Sequence, residues 1–329
     1  MGAPTSNSDT FLTVDGLRIR IARATPPGVA DPPVVFVLHG WGASIDAVGS
    51  ILAGLRDRVE LVALDFPGFG RSDMVPGAWT VADYARLVAR VADALRVDRF
   101  AIVAHSFGAR VALVLATEVA RGRVERMVLT GAAGIKPRRK PSYYAKVGMA
   151  KLGRVIGAVG GPPGKRLQQR IRARVASADW LAAPEALRAT LRNVLAEDLS
   201  DRLPRVDVPT LLLWGERDED TPIWMGERMA REIPDAALIP LAGGHYAYAE
   251  RAAEFNRIAA HFLAPPAAAA QGGGPTNDAG NAARARDATN RTDDAARANG
   301  ATDASDRRAV PNGDGAPAHP TPRAARPQS

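Results

Sequence analysis

A serine, an aspartate and a histidine, widely separated in this 329-residue sequence, each sit at the end of an apolar run in a setting of small residues. The first is Ser106, within Ala104-His105-Ser106-Phe107-Gly108. It follows the apolar stretch Phe100 to Val103 and precedes a segment in which Val111, Leu113, Val114 and Leu115 offer an apolar helical face. Strand, tight turn and helix with serine at the bend is the arrangement of a nucleophile elbow, written here as small-x-Ser-x-Gly. So sharp a turn strains the backbone at the serine and needs small neighbours two positions away on either side, which Ala104 and Gly108 provide. The Ser106 hydroxyl would then stand above the strand ends, beside the unpaired amides of a helix N-terminus.

A serine hydroxyl is a weak nucleophile until a base takes its proton. The chain has five histidines. His319 lies in a low-complexity tail, His261 within a C-terminal helical pattern, and His105 is tied to Ser106 with its side chain directed elsewhere. Of the remaining two, His39 suits a structural hydrogen bond, whereas His245 lies in Ala242-Gly243-Gly244-His245, a loop directly after the apolar run Ala237 to Leu241. A side chain there can reach over the sheet edge, so His245 is the expected base. A base needs an acceptor to orient it. Asp218 closes the loop after Leu211-Leu212-Leu213-Trp214 and is the expected acceptor, with Glu216 and Asp220 as competitors. Thr221-Pro222 is expected to open and cap the next helix. His39-Gly40-Trp41-Gly42 ends another apolar run, Val34 to Leu38, and the backbone amides of Trp41 and Phe107 are assigned to an oxyanion hole. The chemistry implied is acyl transfer through a serine nucleophile, which calls for no metal and no organic cofactor.

Positioning these groups requires strands that stop at a common edge. Eight strand-like runs occur: Phe11 to Val14, Leu17 to Ala22, Val34 to Leu38, Val59 to Leu64, Phe100 to Ala104, Arg126 to Thr130, Thr210 to Trp214 and Ala237 to Leu241. Several are continuously apolar, as strands covered on both faces must be. Helical periodicity lies between them at Val81 to Leu95 behind Thr80 as N-cap, Phe107 to Ala120, Ile223 to Glu232 and Ala252 to Leu263. The alternation predicts an α/β fold: a doubly wound, mostly parallel, eight-stranded sheet with an antiparallel N-terminal hairpin. It is interrupted over residues 136–205, where helix-like stretches occur without a convincing strand; this segment reads as a helical cap. The core is expected over 10–135 and 206–264, with disorder over 1–9 and 265–329. The tail is rich in Ala, Gly, Pro, Asn, Asp, Thr and Arg, with Val310 its only large apolar residue. Such a segment cannot offset its chain entropy by burial.

Composition removes other classes. There are no cysteines, so disulfides, thiolate metal sites and a cysteine nucleophile are excluded. No uninterrupted apolar run reaches eighteen residues and the N-terminus lacks a basic start and apolar core, so a cytoplasmic location is expected. The net charge of +8 is concentrated in the cap, where residues 136–178 contain twelve Lys or Arg and no Asp or Glu. In that segment Gly148, Leu152, Val155, Ile156 and Val159 share one helical face, with Lys146, Lys151 and Arg154 opposite. The basic face can be simply solvated, can attract an anionic or lipid-like acyl substrate or acyl carrier, or can rest peripherally on an anionic membrane. Nucleic acid is set aside because no recognition module is visible.

The order Ser106, Asp218, His245 resembles that of the α/β-hydrolase superfamily. His39-Gly40-Trp41-Gly42, Asp65-Phe66-Pro67-Gly68-Phe69-Gly70-Arg71-Ser72, His105-Ser106-Phe107-Gly108, Gly215-Glu216-Arg217-Asp218 with Thr221-Pro222, and Gly244-His245 followed by Glu250 are similar to its signature segments, over residues 10 to 264. Ala104 stands where the family usually has glycine. Ala132 to Lys140 and Asn193 to Leu199 resemble a bacterial group of uncharacterised capped hydrolases within it. Serine at the nucleophile position separates the chain from haloalkane dehalogenases and epoxide hydrolases, which use aspartate there. The resemblance implies hydrolysis of an ester or related acyl bond on a small-molecule substrate. It also admits carbon-carbon bond cleavage of the ring-fission diketone type, and a non-catalytic ligand-binding protein that keeps the triad.

Overall fold

The computed structural model describes residues 10–136 and 183–264, with isolated positions between them at 149, 152, 155, 161–163 and 165–167. The expectations for 1–9, for 265–329 and for most of the cap fall outside the described residues. Within them, all eight predicted strands form: β1 (Thr10–Val14), β2 (Leu17–Ala24), β3 (Val34–Leu38), β4 (Glu60–Leu64), β5 (Phe100–His105), β6 (Val124–Thr130), β7 (Thr210–Gly215) and β8 (Ala236–Leu241). They make one sheet in the order β1-β2-β4-β3-β5-β6-β7-β8. β1, β2 and β4 pair antiparallel and every other pairing is parallel. The β1–β2 hairpin turns on Asp15 and Gly16, both at positive φ (51° and 79°), the backbone that a two-residue hairpin with the strand twist requires.

Helices cover both faces, which is why the central strands are apolar throughout. Phe36, Leu38, Val62, Leu64, Ile102 and Ala104 point to one side, against α2 (Val81–Ala94) and α3 (Phe107–Val114). Their neighbours Val35, Val37, Leu61, Ala63, Ala101 and Val103 point to the other, against α1 (Gly49–Leu55). α2 starts at a capping box, with the Thr80 hydroxyl accepting from the Asp83 amide and the Asp83 carboxylate accepting from the Thr80 amide.

Two elements differ from the sequence reading. α1 was not foreseen: its glycines, Gly49 and Gly54, depress helix propensity, and it is held by burial of Ile51 and Leu55. The segment Phe107 to Ala120 is not one regular helix; it widens into a π-turn over Leu115–Val119, where the Thr117 hydroxyl donates to the Leu113 carbonyl at 2.6 Å. In the described part of 136–205, α4 (Glu185–Ala196) buries Leu187, Leu191 and Val194, and a 3₁₀ turn follows at Ser200–Arg205. Leu152 and Val155 are 58% and 60% exposed. After β7 and β8 come α5 (Trp224–Glu232), α6 (Ala247–Glu250) and α7 (Ala252–Leu263), the last packing with α1. No helix among the described residues is long and apolar enough to cross a membrane.

Because β3, β5, β7 and β8 run parallel, their C-terminal ends lie along one edge. The loops that leave that edge carry Trp41, Ser106, Asp218 and His245.

Candidate functional site

Ser106 sits between β5 and α3 with φ 50° and ψ −108°. This is a backbone conformation that costs a non-glycine residue on the order of 1–3 kcal/mol. Tertiary bonds hold it: the Ser106 amide donates to the Thr130 carbonyl at 3.1 Å, and its own carbonyl accepts from Ala109 and Ala133 at 3.1 and 3.2 Å. The bend brings α3 against β3 so closely that a methyl group on Gly108 would lie 2.4 Å from the Leu38 carbonyl oxygen. The small residue expected at that position is therefore a packing requirement. Ser106 is half-buried, and its hydroxyl has no hydrogen-bond partner among the described residues.

Asp218 is buried, 4% exposed, and wrapped by donors. Its Oδ1 accepts from the amides of Asp220 (3.0 Å) and Thr221 (2.8 Å). Oδ2 accepts from the Thr221 hydroxyl at 2.8 Å and lies 2.8 Å from His245 Nδ1. Burial alone would push this carboxyl up, but the bonds from His245 and Thr221 outweigh it and hold the group below the ordinary aspartate value. A carboxylate acceptor places the proton on His245 Nδ1 and leaves Nε2 free to accept. Of the competing acids, Asp220 is exposed on the cavity wall and Glu216 is exposed.

Thr221 corrects the sequence reading. It does not cap α5, whose N-cap Ile223 makes no side-chain cap bond. The two amide bonds to Asp218 Oδ1 curl the loop back, so the Thr221 hydroxyl turns inward to Oδ2 and comes 3.3 Å from His245 Nδ1.

The loop carrying His245 is pinned from three sides. Gly215 at the end of β7 lets it approach, since a methyl there would meet the Gly244 carbonyl oxygen at 2.0 Å. Glu250 accepts from the Gly244 amide at 2.9 Å. His105 Nε2 lies 3.1 Å from the His245 carbonyl, with the two rings 4.7 Å apart. His105 is 3% exposed and burial pushes it down to about 3, so it is neutral, and a carbonyl partner requires its proton on Nε2. Its side chain does point away from the serine, as adjacency suggested, and supports the loop of His245. That role has no signal in the sequence beyond position.

His39 is a structural residue, as its setting suggested. It is fully buried, donating from Nδ1 to the Gly40 carbonyl at 2.7 Å and accepting at Nε2 from the Phe66 amide at 3.0 Å. Burial keeps it neutral by lowering its pKa. Asp65 ties down the adjoining loop, accepting from the amides of Ile45 and Arg71 at 2.6 and 2.9 Å.

Ser106 and His245 line one cavity of about 280 Å³. Gly40, Trp41 and Phe107 contribute to the same wall, and among the described residues neither the Trp41 nor the Phe107 amide donates to a protein acceptor. The apolar part of the lining is built from Ile135, Leu191, Val194, Leu195 and Met225. A larger groove of about 500 Å³ lies between β2 and α1, but its Asp46 carboxylate is paired with Arg20, and no serine or histidine lines it among the described residues. Among the described residues no cluster of His, Cys, Asp or Glu could hold a metal ion.

Residues 34–258 match the model of the alpha/beta hydrolase family. The chain is 30% identical over 258 residues to 2-hydroxy-6-oxo-6-phenylhexa-2,4-dienoate hydrolase of Comamonas testosteroni, a match covering 70% of this chain and 87% of that one. It is 24% identical over 273 residues to the uncharacterized hydrolase YugF of Bacillus subtilis, covering 76% of this chain and 96% of that one. Among solved structures, an esterase from Exiguobacterium antarcticum superposes with a TM-score of 0.60 at 21% identity, covering 78% of this chain and 99% of that one. With the sheet order, the strained serine after β5 and a family match over more than half its length, the chain belongs to the alpha/beta hydrolase family.

Proposed function

We propose that this protein is a serine hydrolase that cleaves a carboxylic ester or related acyl bond of a small molecule through an acyl-enzyme. The observation that carries the reading is a part-buried Asp218–His245 pair beside the cavity that holds a strained Ser106, whose hydroxyl has no partner among the described residues. Asp218 holds His245 by Nδ1, so Nε2 accepts the Ser106 proton as Oγ attacks the substrate carbonyl. The amides of Trp41 and Phe107 receive the negative charge that develops on the carbonyl oxygen. The tetrahedral adduct collapses, the alcohol leaves with the proton from His245, and the acyl group remains on Ser106. His245 then takes a proton from water, whose oxygen attacks the acyl-enzyme and releases the acid and the free serine. No step needs a metal or an organic cofactor.

Turnover of a short-chain nitrophenyl ester by the protein and its Ser106→Ala variant tests this. The variant is expected to lose at least three orders of magnitude in kcat while keeping the melting temperature; unchanged turnover would refute the role of Ser106. The 30% identical relative is named for hydrolysis of a dienoate, which favours carbon-carbon bond cleavage by the same serine and base as a second reading. Decay of the dienolate absorbance with such a substrate, faster than that of nitrophenyl esters, would select it. Labelling of Ser106 by a fluorophosphonate separates both from a ligand-binding protein with an inactive serine.

A further inference from the structure

Two charged side chains on the cavity wall, Arg110 and the exposed Asp220, have no part in the mechanism above, and Arg110 is the buried one. Arg110 stands on α3, one helical turn beyond Ser106, and is only 7% exposed. Its single hydrogen bond among the described residues runs from Nη1 to the Glu197 backbone carbonyl at 3.1 Å. No carboxylate among the described residues comes within ion-pair distance: Glu197 and Asp198 act on it only through space, and Asp220, which lines the same cavity, is exposed. A guanidinium has five N–H donors in a planar fork suited to a carboxylate. One donor is engaged among the described residues, and burial, which opposes the charge, outweighs the favourable fields of Glu197 and Asp198 and lowers the guanidinium from its ordinary value.

We propose that Arg110 is the substrate's carboxylate anchor, so that the preferred acyl group carries a second, ionised carboxyl at its far end. This rests on the hydrolase reading of Ser106. Four residues of helix place Arg110 about 6 Å along the axis from the nucleophile. An acyl chain bound to Ser106 would run along the apolar wall of Ile135, Val194 and Leu195 with its terminal carboxylate on the guanidinium. The spacing calls for a short dicarboxylic half-ester rather than a long fatty acyl chain. A cation desolvated before substrate arrives forms a strong, directional pair with an anion and penalises a neutral group that leaves it unpaired. The bland alternative is a strut: Arg110 would only tie α3 to the chain after α4 through the Glu197 carbonyl.

Hydrolysis of monoethyl glutarate and of the neutral ethyl valerate, followed by proton release, separates these roles. The protein is expected to favour the anionic ester at least tenfold in kcat/KM, mainly through KM. Arg110→Met should lose that preference at least tenfold, and Arg110→Lys should keep part of it. A strut would change both substrates alike, so a preference ratio retained by Arg110→Met overturns the proposal, as does a wild-type ratio of one or below. Calorimetric titration of the Ser106→Ala variant with monoethyl glutarate reads the anchor without turnover. Binding there, abolished when Arg110→Met is added, supports the anchor even if the ester chemistry proves wrong; no binding refutes the anchor even if neutral esters are cleaved. Should Arg110→Met not fold, the wild-type ratio and the Arg110→Lys titration carry the decision.

Discussion

Replacing Gly108 with alanine tests the link between packing and catalysis at the elbow. The added methyl would lie 2.4 Å from the Leu38 carbonyl oxygen and 2.8 Å from both the Leu38 carbonyl carbon and the His39 carbonyl oxygen. All three are backbone atoms of β3 and its exit, so no side chain can rotate away. The nearest contact falls about 1 Å short of ordinary van der Waals separation, and α3 and β3 must part by a similar amount. Overpacking of this kind costs about 1–3 kcal/mol. For a folded region of about 200 residues that corresponds to a melting temperature lower by about 2–7 °C. The same displacement moves the Trp41 amide away from Ser106, and a misplacement near 1 Å can cost on the order of a hundredfold in rate. Thermal melts and nitrophenyl ester kinetics on one preparation read both effects. Gly49→Ala is the control, since nothing lies within 4 Å of a methyl there and its φ is helical; it should melt at or slightly above the wild-type temperature. A Gly108→Ala protein with wild-type melting temperature and kcat would refute the argument that this glycine sets the distance between nucleophile and oxyanion donors.

Other expectations follow from the hydrogen bonds of the site. Thr221→Val removes the hydroxyl donor to Asp218 Oδ2, leaving a buried carboxylate with one bond fewer. Urea titration should show a loss of about 1–2 kcal/mol and unfolding should begin at a higher pH on acidification, because Asp218 is held below its ordinary value partly by this bond; identical acid-unfolding curves would contradict it. His105 and His39 are buried and neutral, with pKa values lowered by burial, His105 to about 3. As pH falls below the unfolded value near 6.5, the unfolded chain takes up protons that the folded chain refuses, so their contribution is complete above that value and is lost on acidification towards 3. Each histidine can steepen the decline by up to about 1.4 kcal/mol per pH unit. His105→Gln should therefore show a shallower fall in unfolding free energy between pH 6.5 and 4, and parallel curves would argue that His105 is not buried as a neutral ring.

What could be read along the chain was whatever local pattern reports. Continuous apolar runs such as Val34 to Leu38 and Leu211 to Trp214 announce strands covered on both faces, because only burial makes such runs tolerable. The small residues around Ser106 announce the bend, because its backbone excludes larger ones. The choice of Asp218 and His245 was legible for the same reason: each follows an apolar strand at the edge where loops converge, and the two do meet, at 2.8 Å. Contacts between distant segments left no such trace. The His105 bond to the His245 loop and the single bond of Arg110 to the Glu197 carbonyl depend on which segments the fold brings together, and the inward turn of Thr221 depends on the burial of Asp218 beside it. α1 likewise forms against its own weak propensity because Ile51 and Leu55 find a face to cover that its sequence alone does not specify. Period and composition are local, whereas the cost of burying a polar group is set by neighbours that folding brings together, as far apart in sequence as His105 and His245.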